Sequence, residues 1–351
     1  MMKVLELQHI ASMETRPDPL VCCERPVPEP AAGEVLIRIH CCGVCHTELD
    51  EIEGRTPPRR LPVVPGHQVV GMIEKVGRDV QTLSPGTRVG VAWIYSACGH
   101  CSFCCQGLEN LCQEFRATGR DADGGYAECM VAPADFVYPL PDSLGDLEAA
   151  PLLCAGAIGY RSLRLTGLQN GQSLGLTGFG GSGHLVLQMT THLFPDSRVY
   201  VFARSPRERQ FALDLGACWA GDLGEPPPES LQAVIDTTPV WKSVLTSLDA
   251  LAPAGRLVIN AIRKEENDRS VLLDLDYPHH LWLEKEIKSV ANVCRADVSS
   301  FLELAAGMGI RPAVTPYPLE QANRALQDLR RGHLRGAKVL VMPVVDGICD
   351  A

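Results

Sequence analysis

The sequence predicts a two-domain α/β protein, and three of its features lead to this prediction. Its 351 residues exceed what a single hydrophobic core usually organises. Short alternating apolar segments separated by turn residues run through residues 1–131, whereas apolar strands alternate with amphipathic helices from residue 173 onward. We therefore predict an irregular β domain joined to a domain that contains a doubly wound parallel sheet.

The β domain is predicted from period-two alternation between turn signals. Val35, Ile37 and Ile39 alternate with their neighbours after a loop rich in Pro and Gly, which is typical of a strand. The same pattern predicts strands at residues 69–76, 88–92 and 126–131.

Charge and the N-terminus exclude several classes of partner. With 32 Lys and Arg against 42 Asp and Glu, the net charge is −10, which argues against nucleic acid or an anionic membrane as the main partner. The first ten residues lack the basic and apolar segments of a signal peptide, so we expect a cytoplasmic protein. There the 15 cysteines would remain thiols or metal ligands.

Residues 43–71 contain the first candidate site. Cys45 offers a thiolate and His67 an imidazole, and Thr47 places a hydroxyl two residues after the thiolate. Sulfur and imidazole, with a further ligand from elsewhere in the chain, suit a catalytic zinc site with one open position. A small buried thiol and a core histidine explain the pair equally well when it is taken alone.

A second cysteine cluster has the spacing of a closed metal site. Four sulfurs in a loop of 15 residues can surround one Zn²⁺ ion and stabilise a lobe that has little core of its own. Two disulfides or incidental thiols are the alternative. The four residues are Cys98, Cys101, Cys104 and Cys112, and we regard Cys105 as a bystander.

A glycine motif follows the strand predicted at residues 173–177. It has the form Gly-x-Gly-x-x-Gly and precedes a helix predicted at residues 182–193, so it has the context of a dinucleotide-binding turn. A glycine-rich turn without a ligand is the alternative. The candidate cofactor residues in this turn are Gly178, Gly180, Gly181 and Gly183.

The end of the next strand, predicted at residues 198–203, indicates the cofactor. An NAD site usually has Asp or Glu about 20 residues past the glycine motif. Here Ala203 occupies that position and Arg204 and Ser205 follow, with Arg207 and Arg209 nearby. A guanidinium and a hydroxyl suit a 2′-phosphate, so we predict that NADP(H) is preferred and NAD(H) remains usable. Arginines that only decorate an exposed helix start are the alternative.

Further strands and helices continue the parallel sheet. We predict a helix at residues 207–215, a strand at 233–236, a helix at 240–251 and a strand at 255–261. Outside this sheet, we predict helices at 298–308 and 319–330 and a strand at 338–342. The basic residues Arg330, Arg331, Arg335 and Lys338 either approach the cofactor phosphates or form a solvated helix end.

These motifs, in this order, resemble the zinc-dependent alcohol dehydrogenases of the medium-chain dehydrogenase/reductase superfamily. The resemblance implies a GroES-like catalytic domain (residues 1–154 and 291–351), a Rossmann domain (155–290) and two zinc ions. It implies Cys45, His67 and Cys154 as ligands of the catalytic zinc and the four-cysteine loop as the structural site. Trp93 matches a bulky residue of the family's substrate pocket.

The sequence departs from this family at two positions. Gln68 replaces a glutamate that lies close to the catalytic zinc, and Asp50 replaces a histidine that ends a proton relay through the Thr47 hydroxyl. Asp50 is a weaker base than histidine unless burial raises its pKa.

The activity implied is reversible oxidation of small primary alcohols to aldehydes with NAD(P)⁺. The two departures leave a second hypothesis open, a zinc- and dinucleotide-binding protein with little turnover. Zinc-free quinone reductases of the same superfamily are a poorer match because they lack these ligands. The short segment between Cys112 and residue 126 resembles the tetrameric branch, so we expect a homotetramer, or otherwise a homodimer.

Overall fold

The computed structural model describes residues 1–332 and 336–343. The chain forms two compact units, Met1–Cys154 with Val293–Ala351, and Ala155–Asn292. Within the described residues, no helix has the length and apolar character needed to cross a membrane.

The first segment of unit 1 is built mainly from short strands. Its elements are β1 (Met2–Leu7), β2 (Leu20–Arg25), β3 (Glu34–Val44), α1 (His46–Ile52), β4 (Val69–Val76), β5 (Arg88–Val91), β6 (Ile94–Ser96), β7 (Arg116–Ala117), β8 (Cys129–Pro133), β9 (Val137–Pro139) and α2 (Asp146–Pro151). A π-helical turn, Leu152–Gly156, follows α2 directly.

Unit 2 alternates helices and strands. Its elements are α3 (Ala157–Thr166), β10 (Ser173–Thr177), α4 (Gly183–Leu193), β11 (Arg198–Phe202), α5 (Pro206–Asp214), β12 (Trp219–Gly221), β13 (Leu231–Asp236), α6 (Lys242–Ala250), β14 (Leu251–Ile259), α7 (Tyr277–His280) and β15 (Glu286–Ser289). The chain then returns to unit 1 with α8 (Arg295–Met308), β16 (Val314–Pro318), α9 (Ala322–Arg331) and β17 (Ala337–Val341).

The largest sheet of unit 1 has seven strands, with β16, β17, β3, β4, β5 and β9 in that order and β8 paired to β3. All of these pairings are antiparallel except that of β16 with β17. Val35, Ile37 and Ile39 of β3 are buried in the core of this sheet, as their alternation predicts. The C-terminal segment thus completes the sheet that carries the first candidate site.

The sheet of unit 2 is parallel throughout and has the order β12, β11, β10, β13, β14, β15. This is the doubly wound order in which the first strand lies at the centre and the connections reverse direction beside it. Every residue of β10 is buried, as expected for a strand covered on both faces. The predicted fold class is confirmed.

Most predicted elements are present, with shifted ends. The strand predicted at residues 126–131 begins only at Cys129, because Tyr126 makes its backbone contacts with Leu5 and Pro65. The strand predicted at 255–261 begins at Leu251 instead and ends at Ile259. In unit 2 the sequence analysis missed α3, β12, α7 and β15, of which the two strands are only three and four residues long. In unit 1 it also missed short elements such as β6, β7 and α2.

The basic residues near the C-terminus serve different roles. Arg330 pairs with Glu14 at 2.7 Å, and Lys338 is buried in β17 instead of at a solvated helix end. Arg335 lies outside the described residues.

Candidate metal centres and dinucleotide site

Three residues that are far apart in the sequence converge in unit 1. Cys45 precedes α1, His67 precedes β4, and Cys154 lies in the π-helical turn after α2. One potential ligand atom from each lies within 4.8 Å of the other two, and the Cys45 and Cys154 sulfurs are 3.9 Å apart. The structure therefore brings together the three residues that the resemblance implies as ligands.

The two thiols differ in acidity because their sulfurs contact each other. The hydrogen bond with Cys154, aided by the His67 imidazole, holds the pKa of Cys45 well below the usual thiol value although burial opposes this shift. The same hydrogen bond and burial raise the pKa of Cys154. A thiolate is thus favoured at Cys45.

Glu48 lies behind His67 and was not identified from the sequence. Its Oε1 is 2.6 Å from His67 Nδ1, and its Oε2 accepts a hydrogen bond of 2.7 Å from the Cys45 backbone N–H. Burial tends to lower the pKa of His67, but Glu48 and Cys45 together hold it well above its ordinary value. One fully buried carboxylate therefore positions both the imidazole and the start of α1. The available signal was a glutamate at the third helical position, which forms a capping box with Cys45.

The donor set fits a divalent zinc ion. Two sulfurs and one imidazole are ligands that Zn²⁺ accepts, and three protein ligands leave one tetrahedral position open. Glu48 Oε1 approaches His67 Nδ1 to 2.6 Å, but among the described residues neither ring nitrogen has a hydrogen bond of good geometry. An imidazole that is 1% exposed and lacks such bonds is consistent with a metal ligand.

The two predicted proton-relay residues have different surroundings. Thr47 Oγ1 lies 3.6 Å from the Cys45 sulfur, so its hydroxyl borders the cluster. Asp50 lies on α1, and its carboxylate forms an ion pair with Arg55. Asp50 is therefore held in place by a cation five residues further along the chain.

Gln68 packs its side chain against the backbone of β3. It is 3% exposed, and a Cβ added at Gly43 would lie 2.4 Å from Gln68 Oε1. Glycine at position 43 is thus required for this side chain to fit.

Glu51 is a second buried carboxylate that the sequence analysis missed. It lies three residues after Glu48, on the same face of α1, and is 2% exposed. Neither of its carboxylate oxygens has a hydrogen-bond partner among the residues that the structure describes. Burial, together with the neighbouring Glu48, raises its pKa well above the ordinary value. Glu51 therefore favours its neutral form.

Trp93 is buried and lies between two neighbours. The Arg120 guanidinium lies 5.0 Å from the indole ring centre, and the Phe115 ring centre lies 5.2 Å away. Trp93 is therefore packed against one cation and one aromatic ring.

The four-cysteine loop forms a second cluster. The sulfurs of Cys98, Cys101, Cys104 and Cys112 all lie within 4.8 Å of one another. Backbone N–H groups donate hydrogen bonds of 3.3–3.5 Å to the sulfurs of Cys98, Cys101 and Cys112. Such donors, the Cys104 N–H first, lower the pKa of Cys101 to about 7. The cysteines of the described residues are all free, and Cys105 is exposed and outside the cluster.

The glycine turn connects β10 to α4. Gly178 has φ of 83°, a conformation that favours glycine, and a Cβ at Gly183 would lie 2.6 Å from the Gly178 carbonyl oxygen. Space next to Gly180 is open, because a Cβ there would have no neighbour within 4 Å in the described structure, and Gly181 would meet only Ala155 at 3.7 Å. A pyrophosphate can therefore approach the backbone at the start of α4.

Residues 203 to 205 lie at the carboxyl end of β11. Ala203 is buried, Arg204 is exposed, and Ser205 is the N-cap residue of α5. Arg209 Nη1 donates a hydrogen bond of 3.1 Å to the Ala203 carbonyl oxygen and lies 3.9 Å from an Asp222 carboxylate oxygen. Asp222, which the sequence analysis did not consider, adds a negative charge beside these arginines.

Comparison with known proteins gives consistent results. The model of the alcohol dehydrogenase GroES-like domain matches residues 31–142. The chain is 45% identical over 321 residues to the probable alcohol dehydrogenase AdhA of Mycobacterium tuberculosis, with 90% of this chain and 91% of the relative covered. The GroES-like part of the predicted fold is thereby confirmed.

Solved structures share the fold over nearly the whole chain. A cinnamyl alcohol dehydrogenase of Sorghum bicolor, SbCAD4, has a TM-score of 0.85 at 26% identity, with 97% of each chain covered. A cobalt- and zinc-bound thermostable alcohol dehydrogenase of Pyrobaculum aerophilum has a TM-score of 0.85 at 24% identity, with 97% of this chain and 99% of the other covered. At that identity the second comparison concerns the fold alone.

Proposed function

The chain belongs to the alcohol dehydrogenases of the medium-chain dehydrogenase/reductase superfamily, and from this we propose that it oxidises small primary alcohols reversibly to aldehydes with NAD(P)⁺. The observation that carries the proposal is the convergence of Cys45, His67 and Cys154. Their donor atoms are those of an open catalytic zinc site and not of a closed one.

We propose that these three residues hold a catalytic zinc ion. Bound zinc supplies Lewis acidity, which lowers the pKa of an alcohol and polarises a carbonyl group. The protein contributes the lowered pKa of Cys45 and the Glu48 carboxylate that orients His67. Both features prepare the proposed ligands before the metal binds.

Thr47 and Asp50 are the proposed proton-handling residues. The Thr47 hydroxyl, next to the Cys45 sulfur, hydrogen-bonds the substrate oxygen and passes its proton on. Asp50 is proposed as the acceptor at the end of this path, with Arg55 fixing the position of its carboxylate. Trp93 forms an apolar wall for the carbon chain of a small alcohol.

The glycine turn is the proposed dinucleotide site. A bound nicotinamide dinucleotide supplies the hydride acceptor or donor. Gly178, Gly180, Gly181 and Gly183 let its pyrophosphate approach the α4 N-terminus. Ala203, Arg204 and Ser205 bind the adenine ribose end, and the exposed Arg204 side chain favours NADP(H) over NAD(H).

The cofactor preference is tested with Ala203→Asp. We expect a higher kcat/KM with NADP⁺ than with NAD⁺ in the wild type, and a loss of NADP⁺ use in the variant because the new carboxylate repels a 2′-phosphate. A clear wild-type preference for NAD⁺, or unchanged NADP⁺ use in Ala203→Asp, would show that residues 203 to 205 do not face the ribose.

A second zinc ion is proposed at the four-cysteine loop. Cys98, Cys101, Cys104 and Cys112 can occupy every tetrahedral position, so this site would be structural. The N–H donors that already surround the sulfurs stabilise thiolates there.

Two observations favour a second candidate function, a zinc- and dinucleotide-binding protein with little turnover. Gln68 lacks a negative charge, and Asp50 is engaged by Arg55. The deciding experiment measures zinc content together with turnover of an alcohol and aldehyde panel with both cofactors. Turnover supports the dehydrogenase, whereas two zinc ions per chain without turnover of any panel member support the binding protein.

We also propose that the chain forms a cytoplasmic homo-oligomer, a tetramer or otherwise a dimer. The free cysteines favour a reducing compartment. The edge strand β15 is exposed along its length and contains Ile287, which is 46% exposed. Tyr277 and Trp282, which precede β15 in the sequence, are 59% and 57% exposed. An unprotected strand edge is a template for pairing with another chain, and exposed apolar patches mark interaction sites. A monomer mass by light scattering at micromolar concentration would contradict this proposal.

A further inference from the structure

In the parallel sheet of unit 2, the order in which strands are added reverses between β10 and β13. These two strands are neighbours although β11 and β12 lie between them in the sequence. In open parallel sheets, ligands bind beyond the carboxyl ends of the strands at such a point. Thr177 is the last residue of β10 and Asp236 is the last residue of β13. These two residues therefore lie at the edge where the proposed dinucleotide site is found.

Asp236 is fully buried, and its carboxylate is the centre of a hydrogen-bond network. Oδ1 accepts hydrogen bonds from the Thr177 hydroxyl (2.7 Å), the Thr238 hydroxyl (2.8 Å) and the Thr238 backbone N–H (3.0 Å). Oδ2 accepts one from the Ser243 hydroxyl (2.8 Å) and one from the Lys264 ammonium. A buried charge is retained at low energetic penalty only when it is paired and hydrogen-bonded in this way.

Lys264 fastens a second loop to the same point. Its ammonium, on a side chain that is 7% exposed, also donates to the carbonyl oxygens of Thr238 (2.8 Å) and Val240 (3.0 Å). Three acceptors match the three donors of an ammonium group. Lys264 follows β14, so it joins the loop after β14 to the loop after β13.

The loop after β13 in turn contacts the glycine turn. The Thr237 hydroxyl donates a hydrogen bond of 2.9 Å to the Thr177 carbonyl oxygen, and a Cβ at Gly178 would lie 2.6 Å from that hydroxyl oxygen. The position of Thr237 is thus coupled both to Asp236, its neighbour in the chain, and to the first glycine of the motif.

We propose that Asp236 and Lys264 are positioning residues that hold residues 237–240 against the glycine turn, so that the dinucleotide crevice is formed before the ligand binds. This inference rests on the proposed dinucleotide site. Because the binding energy is then not spent on ordering two loops, the network increases affinity for NAD(P)H.

The test compares dinucleotide affinity in the wild type, in Lys264→Met, and in the double variant with Asp236→Asn and Lys264→Met. NADPH and NADH are titrated by fluorescence, and kcat is measured at saturating dinucleotide. We expect Kd to rise about tenfold or more in both variants while kcat changes less than about threefold, since preorganisation acts on binding. The double variant leaves no unpaired buried charge and decides the question if the single variant does not fold.

A matched control lies at the amino ends of the strands of the same sheet, opposite to the carboxyl ends where Asp236 lies. Near the amino ends of β10 and β11, the Glu229 carboxylate accepts hydrogen bonds from Ser173, from Tyr200 at 2.7 Å and from Arg198 at 2.5 Å. Glu229→Gln perturbs a similar polar network far from the carboxyl edge. We expect it to leave both Kd values within about twofold of the wild type.

Four outcomes separate the hypotheses. Weaker binding in the Lys264 variants but not in Glu229→Gln supports the inference. Wild-type Kd values in the double variant would overturn it, since the network would then not contribute to binding. Equal losses in the Lys264 variants and in Glu229→Gln would also overturn it, since both networks would then act only through general stability. A wild type that binds neither dinucleotide would instead overturn the proposed function itself.

Discussion

The two cysteine clusters of unit 1 offer similar donor atoms but are built in different ways. The Cys98–Cys112 cluster comes from one loop of 15 residues, and its sulfurs receive bonds from backbone N–H groups of that same loop. The Cys45 cluster combines three segments, with His67 and Cys154 separated by 87 residues. The first cluster can therefore organise its own loop, whereas the second depends on the sheet around it.

The polar groups around the two clusters also differ. At the loop cluster four sulfurs lie together, the number that a closed structural site requires, and a Glu114 carboxylate oxygen lies within 4.8 Å of the Cys98 sulfur. At the Cys45 cluster, Glu48 contacts His67, Thr47 contacts Cys45, and Glu51 is buried on the same helix. Loss of the first cluster should damage folding, and loss of the second should damage chemistry.

The largest effect is expected for Cys45→Ser. Removing one catalytic ligand eliminates several kcal/mol of transition-state stabilisation, so turnover should fall by a factor of about 10³ or more. Near-normal melting temperature and retention of one zinc ion per chain are expected. His67→Ala is the matched variant with the same expectation. Near-normal activity in Cys45→Ser would mean that the catalytic cluster is misassigned.

Cys101→Ser should act mainly on stability. A structural zinc site contributes its binding energy to folding, so a loss of a few kcal/mol should lower the melting temperature by about 5–10 °C and reduce soluble yield. Cys105→Ser, in the same loop but outside the cluster, is the control and should leave both quantities unchanged. A full set of zinc ions and an unchanged melting temperature in Cys101→Ser would rule out the closed site.

Glu48→Gln tests the carboxylate behind the catalytic cluster. Losing an outer partner of a metal-bound histidine typically lowers metal affinity or activity by about 10- to 100-fold, and we expect that range here. Zinc retention against a chelator and kcat are the measurements. Zinc affinity and kcat equal to those of the wild type would show that the contact of 2.6 Å between Glu48 and His67 is not functional.

Gln68→Glu asks whether added negative charge alters the Cys45 cluster. We expect kcat to change by up to about tenfold. A decrease means that Lewis acidity limits turnover, and an increase means that ligand exchange does. Identical kinetics in the two proteins would show that the substitution at position 68 is neutral.

Glu51→Gln should have the smallest effect on activity, less than about threefold, because the carboxyl it replaces favours its neutral form.

The stability of Glu51→Gln should differ from that of the wild type in a way that depends on pH. In the wild type the folded state keeps a proton that the unfolded state loses above the ordinary pKa of 4.5, so its stability declines as the pH rises beyond that value. Relative to the wild type, the variant should gain about 1 kcal/mol or more between pH 5 and 8. A pH-independent difference would contradict the buried neutral carboxyl.

Sequence patterns were sufficient wherever the relevant residues are close in the chain. The four-cysteine loop, the glycine turn between β10 and α4, and the strand β4 were all predicted close to their observed positions. In each case the spacing of side chains along a turn or strand determines what those side chains can reach. Cys154 was different, because only its resemblance to a family position indicated it as a partner of Cys45.

The sequence by itself determined two kinds of domain, one closed cysteine loop and a dinucleotide-type turn, since covalent spacing and hydrophobic periodicity suffice for these. Only the tertiary structure decided that Glu48 contacts His67, that Arg55 pairs with Asp50, and that Lys264 reaches Asp236. A buried charge needs a partner, but the choice of that partner depends on which strand ends and loops the sheet brings together. Even for Arg55 and Asp50, only five residues apart, the pairing depends on how the chain turns after α1.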